Sequence, residues 1–285
     1  MKQTEVKAVA SWPEIDWTRP WYASVLAAAH AVNAAPDWRA ALNAQAGAQG
    51  LRNARGLPLR FVSQAALPDG QAYEAFIDAS GSVPTRDNLH DFFNALVWLS
   101  FPRIKAQLNA LQAAQIALAG IGKSRGAARD AATIFDENAA LIVVRACESA
   151  AEAPAAGSSA AAVVAALRAH QWQHAFVAQR AAFGREVEVW LFGHALMEKL
   201  VAPYKAITAH SWVLAADAAF FALPQADKRA WIDRAVAAAL AGRSLSTADF
   251  TPLPVLGVPG WWPAQDAAFY QDAAVFRPKR ALSPS

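Results

Sequence analysis

Cysteine is nearly missing from this 285-residue chain. Cys147 stands alone, so the chain can form no internal disulfide framework and no cysteine-based zinc site. An excess of charge of one sign is missing as well: 26 basic side chains against 23 acidic ones leave a net charge of +3. The densest basic stretch, KSRGAAR from Lys123 to Arg129, is short and is followed at once by Asp130, which argues for a solvated loop and against nucleic-acid binding. Long hydrophobic runs are absent too. The uncharged stretches Trp21 to Pro36 and Phe250 to Gln265 fall short of the ~20 apolar residues that a bilayer crossing needs, so no transmembrane segment is expected. The N-terminus MKQTEVKAVASWPEIDW has acids where a signal peptide would be apolar, and a cytoplasmic location is expected. No glycine-rich phosphate loop, GxSxG elbow, HExxH pair or calcium loop occurs, and no nucleotide cofactor motif is found.

Apolar and aromatic residues are plentiful. With 55% hydrophobic residues, 11 Trp and 14 Phe, the chain can bury a large core, and a single domain spanning 1–285 is expected, with its core over about 16–278. Two short helices break at Pro36. Leu59 to Gly81 reads as two strands around the turn Pro68-Asp69-Gly70. A helix opens at Asp87 or Asn88, runs to Pro102, and is followed by another to about Ala119. TIFDENAALIVV reads as strand, turn, strand, with Asp136-Glu137-Asn138 at the tip. Glu148 to Ala162 is of low complexity and reads as a variable loop, with helices expected near 161–181, 185–201, 205–222 and 225–241. The C-terminal part holds prolines for an extended path and Trp261, Trp262, Phe269, Tyr270 and Phe276 as anchors. The expected architecture is α+β and predominantly helical: a bundle-like core, a small antiparallel sheet of two hairpins, and an extended Pro/Trp-rich C-terminal segment.

Polar groups at inward positions mark the candidate chemistry. In EVEVWLFGHALMEKLV, spacing of three and four residues gives a stripe of Val187, Leu191, His194, Glu198 and Val201. His194 and Glu198, one turn apart, can share a metal ion or simply bond each other. In TRDNLHDFFNALVWLSF, Asp87, Asn88 and Asp91 suit the positive end of a helix dipole, but His90 does not. A neutral imidazole there suits metal binding or proton acceptance. Asp136 and Glu137 form a third acidic pair, which also fits the wet tip of a hairpin. His170 and His174 have metal-compatible spacing in a polar context, and His30 and His210 stand alone in alanine-rich surroundings. Cys147 follows a strand-like run and is expected to be buried, with no activating histidine beside it in sequence.

The segments VPTRDNLHDFFNALVWLSFPRIKAQLN, RGAARDAATIFDENAALIV, FGHALMEKLVAPYKAITAH and PLPVLGVPGWW resemble the bacterial proteins grouped as domain of unknown function 3025. They cover most of the chain, and the histidine-aspartate helix start is the most specific part. The resemblance implies no activity, cofactor or catalytic residue. It does imply one continuous unit in which 148–162 is a loop.

Two readings follow. The leading one is a metal-dependent, hydrolase-like enzyme with His90, His194, Asp136 and Glu137 as ligands to zinc, iron or manganese. Glu198, Asp91 and Arg129 would carry catalysis, and Arg86, Arg125, Arg129 and Lys199 would be available for a small, anionic substrate. The alternative is a non-catalytic binding or scaffold protein whose buried His, Asp and Glu groups form a structural hydrogen-bond network. The enzyme reading requires the helices bearing His90 and His194 to face each other. The sequence leaves oligomeric state and substrate open.

Overall fold

The computed structural model describes residues 14–33, 35–119, 126–147, 150–154, 159–242 and 244–279. Lys123, Ser124 and Arg125 of the basic stretch at 123–129 lie outside the described residues, as does the Cys147 side chain.

The chain opens with helices α1 (Leu26–Asn33) and α2 (Trp38–Ala48), separated around Pro36 as expected. Asp37 caps α2 by accepting the Ala40 N–H at 3.0 Å. Next comes a small unit of strand β1 (Arg60–Ser63), helix α3 (Tyr73–Ser80) and strand β2 (Ser82–Thr85). The two strands run parallel, with Arg60 beside Ser82 and Ser63 beside Thr85. This corrects the expected hairpin. Pro68 to Gly70 does turn the chain, but it leads into a helix, and a parallel pair needs such a crossover. Gly81 ends α3 at φ 71°, and a Cβ there would lie 2.5 Å from the Pro58 carbonyl oxygen, so only glycine fits.

Helix α4 (Leu89–Ser100) is buried from Asp91 through Ser100, and α5 (Pro102–Ala119) follows after the break at Phe101. Asn88 caps α4, its Oδ1 accepting the Asp91 N–H at 2.8 Å. The start of α5 is held by Asp233 on helix α10, defined below, whose carboxylate accepts the Ile104 N–H at 3.0 Å and the Arg103 N–H at 3.2 Å. Phe92, Phe93 and Trp98 place aromatic mass at the centre of the core.

Residues 127–138 form helix α6 (Ala127–Asn138), not the first strand of a hairpin. Strand β3 (Ala139–Cys147) begins directly after the expected turn, in the place of the hairpin's second strand. It is the middle strand of a five-stranded mixed sheet. β4 (Ala150–Pro154) and β5 (Val187–Leu191) pair with β3 antiparallel, β6 (Thr208–Ala216) pairs with it parallel, and β7 (Thr251–Pro254) pairs antiparallel with β6. The run Ala139 to Val144 is fully buried, as befits a strand covered on both faces. Pro252 and Pro254 are tolerated because β7 pairs on one side only.

Three expected helices need correction. The one at 161–181 is α7 (Ser159–Arg168) followed by a separate π-helical turn at 174–178. The one at 185–201 is strand β5 and then the short helix α8 (His194–Lys199). The one at 205–222 is strand β6 and then α9 (Ala218–Ala222). Helix α10 (Gln225–Ala241) is as expected. The two-hairpin sheet is thus replaced by a parallel pair and a mixed sheet, within an α+β fold that is mainly helical. No helix among the described residues is long and apolar enough to cross a membrane.

The C-terminal segment winds through irregular structure and helix α11 (Ala267–Gln271), and its rings are anchors. Phe176 meets Tyr270 and Phe276, and the Trp172 indole N–H donates to the Arg277 carbonyl at 2.6 Å.

Candidate functional site

Five helices contribute to one polar cavity of about 480 Å³. Tyr73 and Glu74 come from the first turn of α3, His90, Asp91 and Asn94 from α4, Gln112 and Ile116 from α5, and Arg129, Thr133, Asp136 and Glu137 from α6. The α6 residues recur every three or four positions, so a single face of that helix forms one wall. His194, the first residue of α8, completes it.

The two histidines that stand 104 residues apart in sequence meet here. Their Nε2 atoms are 3.1 Å apart and their ring centroids 4.6 Å apart, with the planes at 77°. Each Nδ1 has a partner of its own. His194 Nδ1 lies 2.8 Å from the Asp136 carbonyl oxygen, and His90 Nδ1 lies 3.0 Å from Glu198 Oε2. A carbonyl oxygen only accepts, so His194 carries its hydrogen on Nδ1 and turns an Nε2 lone pair toward His90. The carboxylate of Glu198 likewise takes the Nδ1 hydrogen of His90. Two neutral rings so arranged would set two lone pairs against each other, a contact that a proton or a cation between them would relieve. Burial, the largest influence, pushes His194 down to about 4, which keeps that ring neutral.

Glycine makes this approach possible. Gly193 precedes His194 and packs on the junction of α6 and β3, its N–H donating to the Ala139 carbonyl at 2.9 Å. A Cβ on Gly193 would lie 2.5 Å from the Glu137 carbonyl oxygen and 2.6 Å from Ala139 N. Gly193→Ala must therefore push α8 off that junction. We expect a loss of about 1–3 kcal/mol in urea unfolding, together with weakening of anything bound between the two rings.

Below the histidines lies a buried ion pair. The Lys105 ammonium donates to Asp136 Oδ1 at 2.6 Å, to Asp136 Oδ2 at 2.8 Å and to Asn94 Oδ1 at 2.8 Å, and sits 5.4 Å from the centre of the Trp98 ring. Burial raises the Asp136 pKa, but Lys105 and then His194 outweigh it and hold the carboxyl below its ordinary value. Asn94 passes the network on, donating to the Tyr73 hydroxyl at 3.1 Å. Glu74 accepts from Asn109 Nδ2 at 2.6 Å. Burial, helped by the nearby Asp136, pushes Glu74 up from 4.5 to about 7.

The Glu74 shift has a sign that can be checked. The folded protein keeps this proton at pH values where the unfolded chain has released it, so the contribution is full below about 4.5 and is lost as pH rises through about 7. Glu74→Gln should flatten stability across that window. At pH 8 it should leave the variant about 1–2 kcal/mol more stable than the parent, discounted for partial exposure, as read by urea unfolding at a series of pH values.

The remaining sequence candidates divide. Glu198 lies one helical turn from His194 on α8, but its partner is His90. Asp91 faces Arg86, accepting its backbone N–H at 2.7 Å, its Nε at 3.0 Å and its Nη2 at 2.9 Å. The Asp136 carboxylate is turned to Lys105, with Oδ2 3.8 Å from His194 Nδ1. Glu137 and Arg129 line the cavity, while the Lys199 ammonium bonds Asn138 at 3.2 Å. His170 and His174 line a different cavity against the C-terminal segment, and His30 and His210 are exposed. Among the described residues, no group of three or more His, Cys, Asp or Glu side chains converges to hold a metal ion. Lys105, Tyr73 and Glu74 escaped the sequence reading. The available signal for Lys105 was its place on α5 in a polar stripe with Asn109 and Gln112, beside the buried Ile104 and Leu108.

Fold and cavity define an α+β protein with a helix-lined polar site centred on a histidine pair. Over residues 59–280 the chain matches the family described as Protein of unknown function (DUF3025), and it belongs to that family. No curated protein and no solved structure matches the chain significantly.

Proposed function

We propose that the cavity is the active site of a metal-dependent, hydrolase-like enzyme in which His90 and His194 bind one divalent ion through their Nε2 atoms. The observation that carries this reading is the pairing of the two Nδ1 atoms, one with a carboxylate and one with a backbone carbonyl. Those are the partners that fix the tautomer and orientation of metal-binding imidazoles. The spacing agrees. An ion about 2.1 Å from each nitrogen subtends about 95° when they are 3.1 Å apart, and brings the ring centres to roughly the 4.6 Å found. A straight N–H···N bond would hold those centres about 5.4 Å apart.

Two protein nitrogens leave the other coordination positions to water, substrate or Glu137 on the cavity wall, since the Asp136 carboxylate is committed to Lys105 and lies on the Nδ1 side of His194. An ion held there supplies charge to polarise a substrate carbonyl or phosphoryl oxygen and to activate water. Glu198 holds His90 in its binding tautomer. Lys105 neutralises Asp136, and Asp91 with Arg86 braces the loop ahead of α4. Zinc, iron and manganese all suit imidazole with oxygen donors.

The buried Lys105–Asp136–Asn94 network also fits the non-catalytic reading, which needs no ion, and titration separates the two. Protein purified without a histidine tag and titrated with zinc against a chromophoric chelator should take up one equivalent. Uptake below about a tenth of an equivalent, with no rise in melting temperature on adding zinc, manganese or iron, would leave the structural network as the better account.

A further inference from the structure

We propose that the ligand of this cavity carries an anionic oxygen group, a carboxylate or a phosphate, held by the guanidinium of Arg129. This deepens the enzyme reading above and takes its site from it. Three cations stand in or beside the cavity, and two are committed. Arg86 spends Nε and Nη2 on Asp91, and Lys105 spends its ammonium on Asp136 and Asn94. Arg129 differs: its Nε is buried and has no hydrogen-bond partner among the described residues.

A guanidinium presents five N–H donors in a plane and accepts nothing, so what it lacks is an acceptor, best a paired oxygen anion. The neighbours suit such a guest. Thr133 lies one turn further along α6 and Gln112 across the cavity on α5, and both line it with groups that can donate. The charge balance makes the binding conditional. Arg86 offsets Asp91 and Lys105 offsets Asp136, leaving Arg129 against Glu137 and a partly ionised Glu74, so without an ion the cavity is not strongly attractive to anions. A divalent ion at the histidine pair reverses that balance. Anion and ion should then bind with positive coupling.

The test uses methylphosphonate and acetate as probes, titrated by calorimetry into the full chain, first with chelator present and then with manganese. The parent should bind one probe in the millimolar range without metal and roughly tenfold more tightly with it. Whichever probe binds better identifies the anion as phosphate-like or carboxylate-like. Arg129→Gln should weaken binding by roughly tenfold or more, Arg129→Lys by less, and Arg86→Gln by little. Equal affinity in Arg129→Gln and parent, or a loss confined to Arg86→Gln, would overturn the assignment, as would absence of binding by both probes. Because the first titration is metal-free, a parent that binds probe but no ion would sink the metal reading and leave Arg129 standing.

Discussion

Lys105→Met should destabilise the protein by about 3–5 kcal/mol, the largest effect we expect from any single side chain outside the apolar core. Methionine fills much the same volume, so the loss would not come from a cavity. It would come from Asp136, left buried with a charge that two hydrogen bonds from one ammonium now compensate. Asn94 would also lose the donor to its Oδ1, while its Nδ2 stays bonded to Tyr73. Chemical unfolding at pH 7 measures this directly. The double variant Lys105→Met/Asp136→Asn should recover most of the loss, since the uncompensated charge goes with the second change. If the single variant loses under about 1 kcal/mol, the ion pair is not the buried anchor described here.

The second large effect concerns the ion. His194→Ala should abolish ion binding, His90→Ala should do the same, and Glu198→Gln should weaken it by about 10–100-fold, the usual consequence of losing an outer partner of a ligating histidine. Folding should respond differently across the three. His194 is buried and its removal leaves the Asp136 carbonyl without its donor, so some stability goes with it. His90 and Glu198 are each more than a third exposed at the side chain, and changing either should leave circular dichroism and melting near the parent's. His90→Ala is therefore the cleaner probe. If it unfolds the chain, or if all three variants keep parental ion affinity, the pair is structural.

Helix α4 was legible because its signals agree: Asn88 caps, an unbroken apolar run follows, and Pro102 marks the next start. The presence of His90 on a helix start was legible for the same reason, whereas the burial of His194 was reached through a helical stripe that the structure replaces. The junctions misled. Val187, Leu191, His194 and Glu198 fall on one helical stripe by spacing, yet Val187 to Leu191 is strand β5, and the chain changes state at Gly193. That glycine is required by the Glu137–Ala139 backbone it touches, a contact between distant segments that local periodicity does not contain. Asp136-Glu137-Asn138 reads as a turn from composition. It is the last turn of α6, and the strand expected before it is helix because this face packs on α5 and lines the cavity. Ser82 to Thr85 pairs parallel with Arg60 to Ser63 across a helix that the Pro68–Gly70 turn disguises as a hairpin.

The partners of each candidate were the least legible part. Nothing local says that Glu198 serves His90 and not its own neighbour His194, that Asp91 is taken by Arg86 five residues earlier, or that a lysine on α5 neutralises Asp136. Those pairings depend on how α4, α5, α6 and α8 converge.

The most direct measurement is the X-ray absorption spectrum of the zinc-loaded chain, compared with that of His90→Ala. Two imidazole nitrogens at about 2.0–2.1 Å, with the remaining scatterers oxygen, is the predicted first shell, and the His90→Ala sample should retain no stoichiometric zinc. A zinc shell with no imidazole contribution, or one unchanged in His90→Ala, would contradict the assignment of His90 and His194 as the metal site.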